Sequence, residues 1–131
     1  MFLLDITAVS DYLRGNAKVI ENLSQTLRSK VYISSITKLE IAYGINKKPQ
    51  LKAAYDEQIF KLYAWSQDIS FCSDAAVLAG AIKHDLVSNG KTIGIADVMI
   101  GAIALNKDFT VITSNVKHFE RIKGLKIKDW K

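Results

Sequence analysis

Ala96-Asp97-Val98-Met99-Ile100-Gly101-Ala102-Ile103-Ala104-Leu105-Asn106, followed after three residues by Thr110-Val111-Ile112-Thr113, is the stretch that decides the fold. The first segment is apolar on almost every side, which predicts a central, buried helix. The second is β-branched throughout, which predicts a strand. Upstream, Ser73 reads as the N-cap of a helix closed by Asn89-Gly90, and Ile69-Ser70-Phe71 as a brief strand. Pro49 opens a helix ending near Gln67, and Ile36–Ile45 is helical. Val31-Tyr32-Ile33 reads as a strand, Ala17–Arg28 as a helix, and a first helix runs to Arg14-Gly15, with the glycine as C-cap. Met1–Leu4 is a short buried strand, and Leu125-Lys126-Ile127 a last edge strand. Strands alternating with helices predict an α/β three-layer sandwich with a mainly parallel central sheet flanked by helices. Functional sites of such folds gather at the carboxyl ends of the strands.

A chain of 131 residues is expected to form one domain, residues 1–131, with a core that needs no staples. Its 49% hydrophobic and 24% charged content is that of a soluble globular protein. The single cysteine, Cys72, cannot form an internal disulfide, and no Cys/His cluster suggests zinc, so a cytoplasmic location is expected. Met1-Phe2-Leu3-Leu4 is too short for a signal-peptide core, and no stretch reaches the length of a membrane span. The net charge of +5 is uneven: residues 117–131 hold six Lys/Arg against Glu120 and Asp129, a net of +4. A basic tail suits a polyanionic substrate, and equally describes a solvated C-terminus.

Four polar residues sit where apolar surroundings should reject them: Asp5 after Phe2-Leu3-Leu4, Glu40, Asp97, and Asn115 after Val111-Ile112-Thr113. Burying a carboxylate is costly unless a cation or hydrogen-bond donors compensate it. Each has a structural explanation as well. Asp5 is a good helix N-cap. Glu40 shares an i, i+3, i+4, i+7 face with Ile36, Leu39 and Tyr43, but Thr37-x-x-Glu40 is also a capping box. Asp97 is placed to cap its own helix, and Asn115 to turn the chain. Taken together, three carboxylates converging with Asn115 at strand ends predict a hard-cation site, with Thr113 orienting its neighbours. Oxygen-only donors suit Mg²⁺ or Mn²⁺ rather than zinc. One such ion polarises a phosphate and acidifies an attacking water, and a second can stabilise the leaving oxygen, so phosphodiester hydrolysis is the expected chemistry.

The order of these motifs resembles that of the PIN-domain ribonucleases, and within them the toxins of the virulence-associated protein B/C (VapBC) toxin–antitoxin systems. The resemblance rests on Phe2-Leu3-Leu4-Asp5, the run Ser34-Ser35-Ile36-Thr37-Lys38-Leu39-Glu40-Ile41-Ala42-Tyr43-Gly44, the segment from Gly90 to Ala102, and Val111-Ile112-Thr113-Ser114-Asn115-Val116-Lys117-His118-Phe119-Glu120-Arg121-Ile122. It spans essentially the whole chain. It implies a PIN-like fold and a Mg²⁺- or Mn²⁺-dependent endoribonuclease whose acidic, metal-binding residues are Asp5, Glu40 and Asp97. Asn115 falls at a position of aspartate or asparagine, and Thr113 matches a supporting hydroxyl. It also implies a cognate antitoxin as partner, operator DNA bound only through that antitoxin, a homodimer, RNA as substrate and no membrane association.

Relatives usually follow the first aspartate with a small residue and then asparagine or serine, whereas this chain has Ile6 and Thr7. Thr7 can supply an oxygen; Ile6 sets a bulky side chain beside the site. The alternative is therefore a catalytically attenuated PIN-like module that binds antitoxin or RNA without cleavage. Gly90-Lys91-Thr92 mimics the end of a phosphate-binding loop, but the glycine required five places earlier is Asp85. His84 and His118 show no catalytic partner in the sequence and are expected at the surface.

Overall fold

The computed structural model describes residues 1–131. Five strands, β1 (Phe2–Leu4), β2 (Val31–Ser34), β3 (Gln67–Ile69), β4 (Thr110–Ile112) and β5 (Lys126–Lys128), form one sheet in the order β3-β2-β1-β4-β5. Every pairing is parallel, with Leu4 opposite Ile33 on one side and Ile112 on the other. Seven helices cover it: α1 (Ile6–Leu13), α2 (Ala17–Ser24), α3 (Ser35–Lys47), α4 (Pro49–Trp65), α5 (Ser73–Ser88), α6 (Ile95–Lys107) and α7 (Val116–Phe119).

Successive side chains of a strand point to opposite faces, and the core divides accordingly. Leu3 and Val111 pack with Ile82, Leu86, Ile100, Ile103 and Phe119 from α5, α6 and α7. Leu4, Ile33 and Ile112 pack on the other face with Val9, Val19, Leu23, Ile41 and Leu62 from α1 to α4. Trp130 closes that second cluster against Phe2, with ring centroids 5.4 Å apart. The layers, the parallel sheet and the buried α6 thus follow the sequence pattern.

Several boundaries differ from it. The second helix stops at Ser24, and Arg28–Lys30 forms a separate 3₁₀ turn. The third strand is Gln67–Ile69 rather than 69–71, because this edge strand takes its place from backbone pairing with β2 and not from its own apolar content. Cys72, not Ser73, occupies the N-cap position of α5 and makes no side-chain cap. The largest correction concerns α3. Its buried residues are Thr37, Ile41 and Ile45, while Leu39 and Tyr43 are 60% and 59% exposed. Glu40 therefore does not lie within a buried stripe with Leu39 and Tyr43. Nor is Thr37 the cap: Ser34 accepts the Thr37 N–H at 3.2 Å, and the Thr37 hydroxyl donates to the Leu4 carbonyl, tying α3 to the end of β1.

Candidate active site

Asp5 occupies the position just past the carboxyl end of the central strand. Its backbone N–H donates to the Ile112 carbonyl at 3.0 Å, extending the ladder and drawing the end of β4 alongside. The side chain is 1% exposed. One carboxylate oxygen, Oδ1, accepts the Ala8 N–H at 2.8 Å and the Thr7 hydroxyl at 2.7 Å; the other, Oδ2, accepts the Thr113 hydroxyl at 2.6 Å. Asp5 is thus both the N-cap of α1 and a member of the site; the two readings are compatible.

The hydroxyls are themselves oriented. Thr7 Oγ1 accepts the Ser114 N–H at 2.9 Å, and Thr113 Oγ1 accepts the Asn115 N–H at 2.8 Å. Each hydroxyl has a single proton, and both protons are directed at Asp5. A carboxylate offers about four lone-pair positions. Three are filled, so the remaining one belongs to Oδ2. Burial lifts the Asp5 carboxyl from 3.8 to about 6, opposed by the Thr113, Ala8 and Thr7 hydrogen bonds and assisted by the negative charge of Asp97.

Asp97 stands in the first turn of α6 with its side chain 16% exposed. Its Oδ2 lies 3.0 Å from His118 Nδ1, which is also 2.7 Å from the Asn115 side-chain amide. Nδ1 links the two neighbours: as an N–H it donates to the Asp97 carboxylate, and as a bare nitrogen it accepts from the Asn115 amide Nδ2, the ring tautomer deciding which. This trio is held by α7, which the sequence pattern did not predict. Phe119, fully buried, anchors that short helix, and burying a phenyl ring contributes about 1.5–3 kcal/mol. The turn after it seats Ile122 against Gly101 of α6, where a Cβ would come within 2.5 Å of Ile122 Cδ1. Small size at Gly101 lets α7 and α6 meet. The expectation that His118 is a partnerless surface residue is thereby overturned; His84 stays exposed on α5.

Asp5, Thr7 and Thr113 are therefore joined directly, and Asp97, Asn115 and His118 form a second group beside them. Glu40 makes no hydrogen bond or ion pair with either group. It lines a groove of about 440 Å³ together with Ile6, the residue following Asp5, and with Ser10, Arg14, Lys47 and Lys48. No three Asp, Glu, His or Cys side chains close into a metal cage. The donor set nonetheless fits a hydrated hard cation, which is commonly held by one or two carboxylates and water. Two carboxylates interact repulsively here, one of them buried, and no lysine or arginine pairs with either.

Residues 2–125 match the PIN domain. The chain is 30% identical over 131 residues to the tRNA(fMet)-specific endonuclease VapC of Salmonella typhimurium, covering 98% of this chain and 97% of that protein. This chain belongs to the PIN-domain family, among the VapC ribonucleases. Its PIN domain superposes on DNA-bound VapBC from Salmonella typhimurium with a TM-score of 0.88 at 29% identity, covering 99% of this chain and 98% of that one. The fold is equally that of VapBC2 from Rickettsia felis bound to a promoter DNA fragment, with a TM-score of 0.90 at 23% identity and the same coverage.

Proposed function

We propose that this PIN domain is a Mg²⁺- or Mn²⁺-dependent endoribonuclease acting as the toxin of a type II toxin–antitoxin pair. The observation that carries the reading is Asp5: a carboxylate 1% exposed, next to a second carboxylate, with one lone pair free and no cationic side chain to offset it. A divalent ion supplies the missing charge, polarises a phosphodiester and acidifies a water. The chain's own residues do the positioning. Thr7 and Thr113 lock the Asp5 carboxylate so that the free lone pair of Oδ2 is the one available, and Asp97 offers a second oxygen from the start of α6. Asn115 orders the β4–α7 loop through His118, and Glu40 lies on the α3 side of the groove, where a substrate strand or the ion's water shell would meet it.

RNA is the substrate in this reading. Transfer RNA is the first to offer, since the relatives from Salmonella typhimurium and Shigella flexneri are named tRNA(fMet)-specific endonucleases. A cognate antitoxin is the expected partner, with operator DNA engaged through it, because similar solved structures include three VapBC complexes, two of these bound to DNA. A cytoplasmic homodimer of one domain, residues 1–131, completes the proposal; no helix is long and apolar enough to cross a membrane.

The binding-only reading rests on Ile6. That side chain packs against both core clusters, and Thr7 supplies the hydroxyl that Asp5 needs. The deciding experiment offers total cellular RNA to antitoxin-free protein with Mg²⁺, with Mn²⁺ and with EDTA, alongside Asp97→Asn. Discrete fragments that require metal and Asp97 support the nuclease. A folded protein that binds antitoxin and leaves RNA intact establishes the binding module instead.

A further inference from the structure

We infer that the groove lined by Ile6 and Glu40 carries one unpaired strand of the RNA substrate, with Arg14, Lys47 and Lys48 contacting its phosphates and Tyr55 stacking a base. The inference rests on the ribonuclease reading above and adds where the substrate backbone lies. The groove, of about 440 Å³, joins the residue after Asp5 to three cations: the C-cap of α1, the last residue of α3 and the residue linking α3 to α4. Glu40 is the one carboxylate in its lining. All three cations are exposed. Arg14 lies 3.9 Å from Asp11 Oδ1, an oxygen that Lys131 meets at 3.6 Å. Lys47 and Lys48 pair with no carboxylate, and Lys47 Nζ stands 4.7 Å from the centroid of the Tyr43 ring.

The sequence pattern points instead to residues 117–131 as the basic surface, but half of those cations are engaged within the protein. Lys126 meets Asp108 at 3.0 Å, Lys131 meets Asp11, and Arg121 donates to the Thr92 carbonyl at 3.0 Å. An RNA backbone carries a negative charge at every nucleotide, so it matches cations distributed over several segments of one groove. An unpaired strand also needs surfaces for its bases. Half-buried Tyr55 and the apolar Ile41 and Leu51, all in the same lining, offer them. A duplex keeps its base faces stacked inside and would gain nothing from these side chains.

Fluorescence anisotropy of the full chain with a labelled single-stranded RNA of about 12 nucleotides tests this over a range of salt, in EDTA so that no cleavage intervenes. We expect the triple variant Arg14→Gln, Lys47→Gln, Lys48→Gln to bind at least about tenfold more weakly. Its log–log salt dependence should flatten by about 2, the share of three phosphate contacts. The triple variant Lys117→Gln, Lys123→Gln, Lys128→Gln removes the same charge from the tail and should stay within about twofold of the wild type. Tyr55→Leu should weaken binding about fivefold with the salt dependence unchanged. Unfolding midpoints check that each variant is folded. RNA binding unchanged in the groove variant, or an equal loss in the tail variant, overturns the inference. If the groove variant loses the cognate antitoxin instead, the groove is a protein dock. Wild-type affinity in Tyr55→Leu overturns the stacking. A wild type that binds no RNA overturns the inference through failure of the ribonuclease reading itself.

Discussion

Asp5 and Asp97 are the same residue type at the same edge of one sheet, yet they are held in opposite ways. Asp5 is sealed between strand end and helix start, with both oxygens fixed by donors that are themselves fixed, and its carboxyl is pushed up to about 6. Asp97 has its side chain 16% exposed, and its one side-chain partner, His118, has its own 44% exposed. The first half of the site is rigid and electrostatically loaded; the second is open and adjustable. Under the proposed metal-dependent reading, the buried, preorganised carboxylate would fix where an ion sits, and the more accessible one would let it enter and leave. Rigidity costs folding free energy, so the two halves should respond to substitution in different currencies.

The largest effect is on cleavage. Asp97→Asn should lower metal-dependent RNA cleavage at least about a hundredfold, the scale of losing a charge that helps to hold a Lewis acid, while leaving the unfolding midpoint almost unchanged. Rates from a fragment-end assay and a urea melt on the same preparation check both halves of that statement. Asp5→Asn should abolish cleavage as well but move stability the other way. The folded-state pKa of Asp5 lies above its unfolded value, so its proton stabilises the fold. That contribution is complete below pH 3.8 and is lost as pH rises through about 6. At pH 8 the ionised group costs up to about 3 kcal/mol, which the amide variant avoids. Metal-free Asp5→Asn should therefore be the more stable protein at pH 8, with the difference shrinking toward pH 4.

Thr113→Val sharpens the contrast from the other side. Removing the donor to Asp5 Oδ2 should cost about 1.5–3 kcal/mol at pH 8, where the carboxylate is charged, and should raise the Asp5 pKa further because that hydrogen bond lowers it. Denaturant melts at pH 8 and pH 4 read both the cost and its loss. On the open half, His118→Ala should alter metal-free stability by no more than about 0.5 kcal/mol. The smallest effect belongs to Ile6→Thr, which puts a smaller side chain beside Asp5. Cleavage should stay at the wild-type level, and a large gain would return support to the attenuated reading.

Much of this was legible in the sequence, and the misses have physical reasons. Asp5 and Asn115 could be placed because an apolar β-branched run ending in a polar residue marks a strand's carboxyl end, where parallel sheets build sites. Asp97 could be placed because α6 is apolar around its whole circumference. Glu40 was harder. The i, i+3, i+7 residues Ile36, Leu39 and Tyr43 form one stripe and Thr37, Ile41 and Ile45 another. Periodicity alone does not say which of the two meets the sheet. Packing chose the second, which carries a threonine that bonds the Leu4 carbonyl. His118 was missed because Asp97 lies 21 residues away. The available local signal was Asn115 three residues earlier on a helix of four residues, too short to show a period.

The measurement that bears most directly on the central claim is thermal unfolding of the wild type and Asp5→Asn at pH 8, with and without Mn²⁺. If Asp5 is a buried charge waiting for a cation, the variant melts higher without metal, and added Mn²⁺ raises only the wild type and closes or reverses the gap. A variant that melts below the wild type without metal, or that gains as much from Mn²⁺, would contradict the account.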